Sequence, residues 1–157
     1  MASMSIREAS SADIPAVRAL IDEYCRWIGL DLTFQEIQPE LDGLPGDYAP
    51  PGGVLLVGTL DDRVEGVAAY RRFDTQACEM KRLYVRPSGR GRGVARALVM
   101  ALMANAVSRG FRTMYLDTLP TMGSAQRLYE SLGFQDTPAY YDTPIAGTRF
   151  MARQLRG

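Results

Sequence analysis

The sequence predicts an α/β fold: a central mixed sheet of about six or seven strands with helices on both faces, α+β in character where its strands run antiparallel. The order of elements is one observation behind this. It runs strand and helical region, three antiparallel strands, then helix, strand, helix, strand, strand. The second observation is the helix Gly91 to Arg109, which joins strands Cys78–Val85 and Thr113–Asp117; a crossover of that length sets the two strands parallel. The third is size. The 157 residues, 46% hydrophobic, are enough for one domain with a real core and too few for two ordinary ones, so residues 1–157 are expected to form a single domain.

Ile6 to Glu8 reads as a short first strand, and Ser10 or Ser11 caps a helix from about Asp13 to Trp27. Ile14, Val17, Leu20, Ile21 and Tyr24 give that helix its apolar stripe, Pro15 sits in its first turn, and Gly29 ends it. From Leu30 to Gly53 the chain holds Pro39, Pro45, Pro50 and Pro51, which leaves room for a short helix near Phe34 to Gln38. Val54 to Leu60 is a strand, Asp61 and Asp62 turn it, and Val64 to Phe73 returns as a hairpin. Cys78 to Val85 is the next strand. Val94, Leu98, Ala101, Leu102 and Val107 then recur at helical spacing. Thr113 to Asp117 is a strand, Met122 to Leu132 is the last main helix, closed by Gly133, and Thr148 to Leu155 is a final strand.

Composition excludes several function classes. There are 18 basic and 18 acidic side chains, so no global field draws the chain to nucleic acid, and the basic cluster from Lys81 to Arg96 is a local feature. No apolar run approaches the ~20 residues needed to span a bilayer. The start, MASMSIREASSADI, lacks the apolar core of a signal peptide. A cytoplasmic protein with no membrane partner is expected, with Cys25 and Cys78 as free thiols. The chain has no histidine. His-dependent triads and His-ligated metal sites are thereby excluded, no metal is expected, and proton transfer falls to carboxylates, Tyr, Lys, Cys or water.

The stretch Glu79 to Ala95, EMKRLYVRPSGRGRGVA, carries the chemistry. Strand, Gly/Arg loop and helix follow one another, so backbone N–H groups and a helix N-terminus converge beside Arg90 and Arg92, a place suited to a phosphorylated ligand. A P-loop needs Gly-Lys-Ser/Thr, but Val94 and Ala95 follow Gly93. A dinucleotide fingerprint from Gly91 meets Arg96 at its third small position, and one from Gly89 meets Val94 there. What does fit is R-x-x-G-x-A, in Arg90, Gly93 and Ala95.

With these residues the chain resembles the GCN5-related N-acetyltransferase (GNAT) family, whose Q/R-x-x-G-x-G/A loop cradles the pyrophosphate of acetyl-CoA. AQRLYESLGF, Ala125 to Phe134, resembles that family's later helix and strand. The resemblance implies a GNAT-like fold, acetyl-CoA as acyl donor, and a cofactor site at Leu83, Tyr84 and Val85, on a bulged strand, and at Arg90, Gly91, Arg92, Gly93, Val94 and Ala95. It implies that the two parallel strands splay to admit the cofactor's arm. The acceptor is then a primary amine of a small molecule or a peptide. An alkylammonium has a pKa of roughly 10, so a base must take its proton near neutral pH. Glu79 lies at the spacing of the base in the histone-acetylating branch; the alternative is that it pairs with Lys81, Arg82 or Arg71. Tyr129 holds the position of the family's acid beside the departing sulfur, against plain packing on the sheet. Met122 stands where the family often has Asn.

Candidate acceptor-pocket residues are Tyr24, Trp27, Phe34, Arg71, Tyr140 and Tyr141, each weighed against ordinary packing. Cys78 reads as a buried strand cysteine. Two rivals to the enzyme remain: a non-catalytic acyl-CoA-binding sensor domain, and a protein that uses the loop for ATP. Acceptor identity, acyl length, O-acylation and a homodimer stay open at this point.

Overall fold

A computed structural model describes residues 3–28 and 37–155. Seven strands form one sheet: β1 (Met4–Glu8), β2 (Val54–Leu60), β3 (Arg63–Arg72), β4 (Ala77–Val85), β5 (Thr113–Thr118), β6 (Gln135–Asp136) and β7 (Arg149–Gln154). Their spatial order is β1-β2-β3-β4-β5-β7-β6. Only β4 and β5 run parallel, linked by the helical crossover expected from the sequence. The helices are α1 (Ile14–Ile28), α2 (Ile37–Asp42), α3 (Val94–Ser108) and α4 (Gly123–Ser131). Of the short helix expected near Phe34 to Gln38, Ile37 and Gln38 are in α2, while Gly29 and Phe34 to Glu36 fall outside the described residues.

Both faces of the sheet are covered, which explains why β2, VLLVGTL, is buried along its whole length. Leu55 and Val57 pack toward Val17, Leu20 and Ile21 of α1. Val54, Leu56 and Leu60 belong to the other core, with Leu98, Val99 and Leu102 of α3. The hairpin turn between β2 and β3 is two residues long, with φ of 51° at Asp61 and 67° at Asp62, the twist-matched turn type for such a loop. Among the described residues no helix is long and apolar enough to cross a membrane.

Two glycines set the height of α3 above the sheet. Gly58 and Gly66 are cross-strand partners, and a Cβ on Gly58 would stand 2.8 Å from a Val94 methyl, one on Gly66 3.1 Å from Leu98. The helix N-terminus can settle only because both side chains are missing. Gly58→Val is expected to cost about 1–3 kcal/mol by overpacking, read as a lower urea midpoint with an unchanged m value.

At the start of α1 a 3-10 turn, Ser11–Asp13, carries the cap. The Asp13 carboxylate accepts from Arg7 Nη1 at 2.6 Å and from the Ser10 backbone N–H at 2.7 Å. These hydrogen bonds, Arg7 first, hold its carboxyl well below the usual carboxylate range. A depressed folded value gives stability that is present above the unfolded pKa near ~4 and lost as pH falls toward the folded one. Asp13→Asn should therefore lower stability at neutral pH and flatten its fall in acid, measured by denaturation at a series of pH values.

The sheet opens between β4 and β5. Their pairing is confined to Ala77–Thr113, Cys78–Met114 and Glu79–Tyr115, although both strands continue. On its other edge β4 carries a bulge: Val67 faces Tyr84 and Ala69 faces Lys81, two steps on β3 against three on β4. Arg82 takes up the extra residue at φ 63°, a left-handed conformation that side chains avoid. Glu40 of α2 holds it there, accepting from Arg82 Nε at 2.7 Å and Nη2 at 2.9 Å.

Candidate functional site

The Gly/Arg loop starts after β4. A 3-10 turn, Pro87–Gly89, leads to Arg90, whose Nε donates to the Val85 carbonyl at 3.0 Å. Gly91 and Gly93 have φ of 77° and 80°, and a Cβ on either would meet nothing within 4 Å. Glycine is needed there for backbone conformation, and the space beside it is open to a ligand. Gly93 caps α3 without any side-chain bond. The amides from Gly91 to Arg96 donate no hydrogen bond of ordinary geometry among the described residues, which leaves the orphan donors of a helix start pointing outward. Arg92 is exposed and forms no ion pair there. Val94 is buried in the core and Ala95 half-buried, so both can serve a ligand chiefly through the backbone.

Trp27, placed by sequence among the acceptor-pocket candidates, lies at this end of the molecule instead. It is 53% exposed, and the Arg90 guanidinium sits 4.9 Å above its ring and 5.7 Å from that of Tyr84. The Tyr84 side chain turns toward α1, its hydroxyl donating to Glu23 at 3.2 Å.

Behind the loop, the gap between β4 and β5 holds a narrow cavity of about 30 Å³. Tyr24, Met80, Leu83, Thr118, Met122 and Tyr129 are among its walls. Tyr129 is 5% exposed and its hydroxyl has no partner among the described residues; burial pushes that hydroxyl well up from its ordinary value. Thr118 Oγ1 is also buried and unpartnered. A buried hydroxyl without a partner, as at Thr118, is costly, and the charged side chains of Lys81, Arg82 and Asp117 join the walls here.

On the far side of β4 is a wider cleft of about 530 Å³. Arg71, Phe73, Glu79, Lys81, Tyr140 and Tyr141 line it. Arg71 and both tyrosines were named from sequence together with Glu79, and here they come together. Glu79 is 4% exposed; it accepts from Arg71 Nε at 3.1 Å and from the Tyr140 hydroxyl at 2.7 Å. Burial, with the charges of Glu79 and Asp117 adding to it, pushes the Tyr140 hydroxyl up strongly. One wall is aromatic, with Tyr140 5.2 Å from Phe73, 5.3 Å from Tyr115 and 5.1 Å from Phe150 between ring centres.

Sequence reasoning missed Asp117 as a functional group and gave Lys81 only the part of a neighbour. Asp117 sits on β5 at the mouth of the splay and accepts a short hydrogen bond from the Tyr141 hydroxyl. Lys81 Nζ lies 3.5 Å from Asp117 and 3.6 Å from Glu79. Asp117 lines the narrow cavity, Glu79 lines the cleft, and Lys81 lines both, so this ion-paired trio is the partition between them. A usable signal existed: charged residues in otherwise apolar strands, with Asp117 at the carboxyl end of β5, where open α/β sheets place ligands. Cys78 is buried, with its thiol pushed up to about 12 by desolvation, a poor nucleophile.

A mixed sheet forked between two parallel strands, with a Gly/Arg loop closing the fork, defines an acyl-CoA N-acyltransferase fold. The chain belongs to the acetyltransferase (GNAT) family, whose model matches residues 14–134. It is 38% identical to an uncharacterized N-acetyltransferase of Schizosaccharomyces pombe, over 91% of this chain and 89% of that one. Among solved structures it is similar to a GNAT-family acetyltransferase of Staphylococcus aureus, with TM-score 0.83 at 19% identity over 98% of this chain and all of that one. It also resembles a putative acetyltransferase of Salmonella typhimurium solved with acetyl-CoA, with TM-score 0.69 at 26% identity over 98% and 94% of the two chains. The protein is thus an acetyl-CoA-dependent acyltransferase.

Proposed function

We propose that the protein acetylates a primary amine of a small molecule or a peptide by direct attack, with Glu79 as the base and Tyr129 as the acid. The observation that carries this reading is the partition: an acid facing the narrow cavity and a base facing the cleft, separated by one layer of side chains.

Acetyl-CoA fits the residues present. The unpaired amides of Gly91 to Ala95 with Arg90 and Arg92 suit its pyrophosphate, and the free edge of β4 at Leu83 to Val85 suits its amide-bearing arm. Once bound it supplies an activated acetyl thioester. The remaining work belongs to the chain. The aromatic wall and Arg71 orient the acceptor in the cleft. Glu79 uses two acceptor positions for Arg71 and Tyr140, and its remaining lone pairs take the amine proton, directly or through water. Backbone N–H groups of β4 face the developing negative charge. Tyr129, on the wall of the narrow cavity, holds a proton for the departing sulfur. A cytoplasmic setting with both cysteines as free thiols agrees with this reading.

A non-catalytic sensor would need the same loop and fork. It gives no account of carboxylates buried at the partition, where ionic groups are expensive to hold, and this favours turnover. The test is incubation of the protein with acetyl-CoA and a panel of primary amines, amino acids and lysine peptides. N-acetyl products found by mass spectrometry, with matching thiol release, are the expected result. Tight acetyl-CoA binding without any product would leave the sensor.

A further inference from the structure

We propose that Lys81 sets the charge of the acceptor site so that an incoming amine passes to its neutral, attacking form there; this rests on the acetyl-transfer reading above. Lys81 is 7% exposed, yet its ammonium stands at the partition, where acceptor and donor must meet.

The charged groups around it balance. From its own strand come Glu79, at 3.6 Å, and Arg82; from β3 comes Arg71, bound to Glu79; from β5 comes Asp117, at 3.5 Å; from α2 comes Glu40, which pairs with Arg82. The segment before β7 adds the hydroxyls of Tyr140 and Tyr141 and, at the cleft wall, Asp142. Tyr24 of α1 and Tyr129 of α4 face the channel side. Among the described residues Lys81, Arg71, Arg82 and, at the cleft wall, Arg72 thus stand against Glu79, Asp117, Glu40 and Asp142.

Without Lys81 the partition would present two carboxylates, with Arg71 the one cation bound to either. An alkylammonium arriving there would be held in its charged form, because nearby opposite charge favours ionisation. An ammonium has no lone pair and cannot attack. With Lys81 in place the arriving cation meets a like charge at contact range and no surplus of negative charge, in a buried setting. Both effects favour its neutral form, with the proton passing to Glu79 or to water in the cleft. The same ion pairs fix the ammonium between two rigid strands, so the charge is in place before the acceptor arrives.

The test uses two probes of similar shape that suit the aromatic wall: benzylamine, an ammonium at neutral pH, and O-benzylhydroxylamine, already neutral there. Thiol release from acetyl-CoA is followed from neutral to alkaline pH for wild type, Lys81→Met and Lys81→Arg. In Lys81→Met the acid limb of kcat with benzylamine should move up by about one pH unit, roughly a tenfold loss at fixed pH on that limb. Lys81→Arg should keep the wild-type limb, and the limb with the alkoxyamine should not move in any variant. An unmoved benzylamine limb, an equal loss at every pH, or the same displacement with both probes would overturn the proposal. Failure of the wild type to turn over both these probes and every amine of the panel above would remove the transfer reading itself and the role of Lys81 with it; where a panel amine turns over, the same limb comparison is made with that amine.

Discussion

Replacing Glu79 with Gln is expected to lower kcat by about 10²–10⁴-fold, the usual range for loss of a positioned general base. The amide keeps the size of the carboxylate; its one oxygen accepts from Arg71, and its NH2 donates to a Tyr140 hydroxyl turned to accept, in place of the two bonds of 3.1 and 2.7 Å that the separate carboxylate oxygens accept. The fold and the acceptor's orientation are thereby largely retained, so acetyl-CoA affinity should change little. The loss should shrink as pH rises and the free amine becomes abundant, because a base is then needed less. Asp117→Asn is the control, since Asp117 lies on the opposite side of Lys81. A large loss in Asp117→Asn with a small one in Glu79→Gln would transfer the role of base to Asp117.

Tyr129→Phe carries the second large effect. The Tyr129 hydroxyl makes no hydrogen bond among the described residues, and the ring packs 5.8 Å from Phe134. Removing one oxygen therefore leaves the packing intact and breaks no hydrogen bond, so stability should change little. Catalysis should suffer. Without a proton donor the thiolate must leave unaided, and kcat should fall about 10²-fold or more while the KM for acetyl-CoA stays within a few fold. The diagnostic is the leaving group: a donor thioester with a more acidic thiol should recover much of the loss. A uniform loss with both donors would return Tyr129 to a packing role.

Much of the fold was legible in the sequence, because α1 is strongly amphipathic, β2 and α3 are apolar runs of strand and helix length, and clear punctuation bounds each of them. Strand β2 is matched end to end at Val54–Leu60. The loop was legible for a different reason: only a Gly/Arg run between strand and helix makes an anion cradle, so its purpose is local. The partition is not local. Asp117 and Lys81 are far apart in the chain and meet only because β4 and β5 pair for three residues and then diverge. The resemblance implied that divergence, but nothing in the sequence around Asp117 announces its pairing with Lys81. Trp27 shows the same limit in reverse. It is a helix aromatic near the chosen pocket in sequence order, but its position on the last turn of α1 brings it to Arg90. The resemblance implied a bulge on this strand, but not the Glu40 ion pair that meets Arg82 there across 42 residues.

The most direct measurement is calorimetric titration of the wild-type protein and of Gly93→Trp with acetyl-CoA, with dephospho-CoA and ATP as comparisons. Gly93 has φ of 80° with open space where its Cβ would be. An indole there is strained in the backbone and fills the cradle, while the core beneath α3 is untouched. Wild-type binding of acetyl-CoA in preference to ATP, lost in Gly93→Trp with folding preserved, is the predicted result. Absence of acetyl-CoA binding by the wild type, or equal binding by the variant, would contradict the account and make the Gly/Arg loop a structural turn.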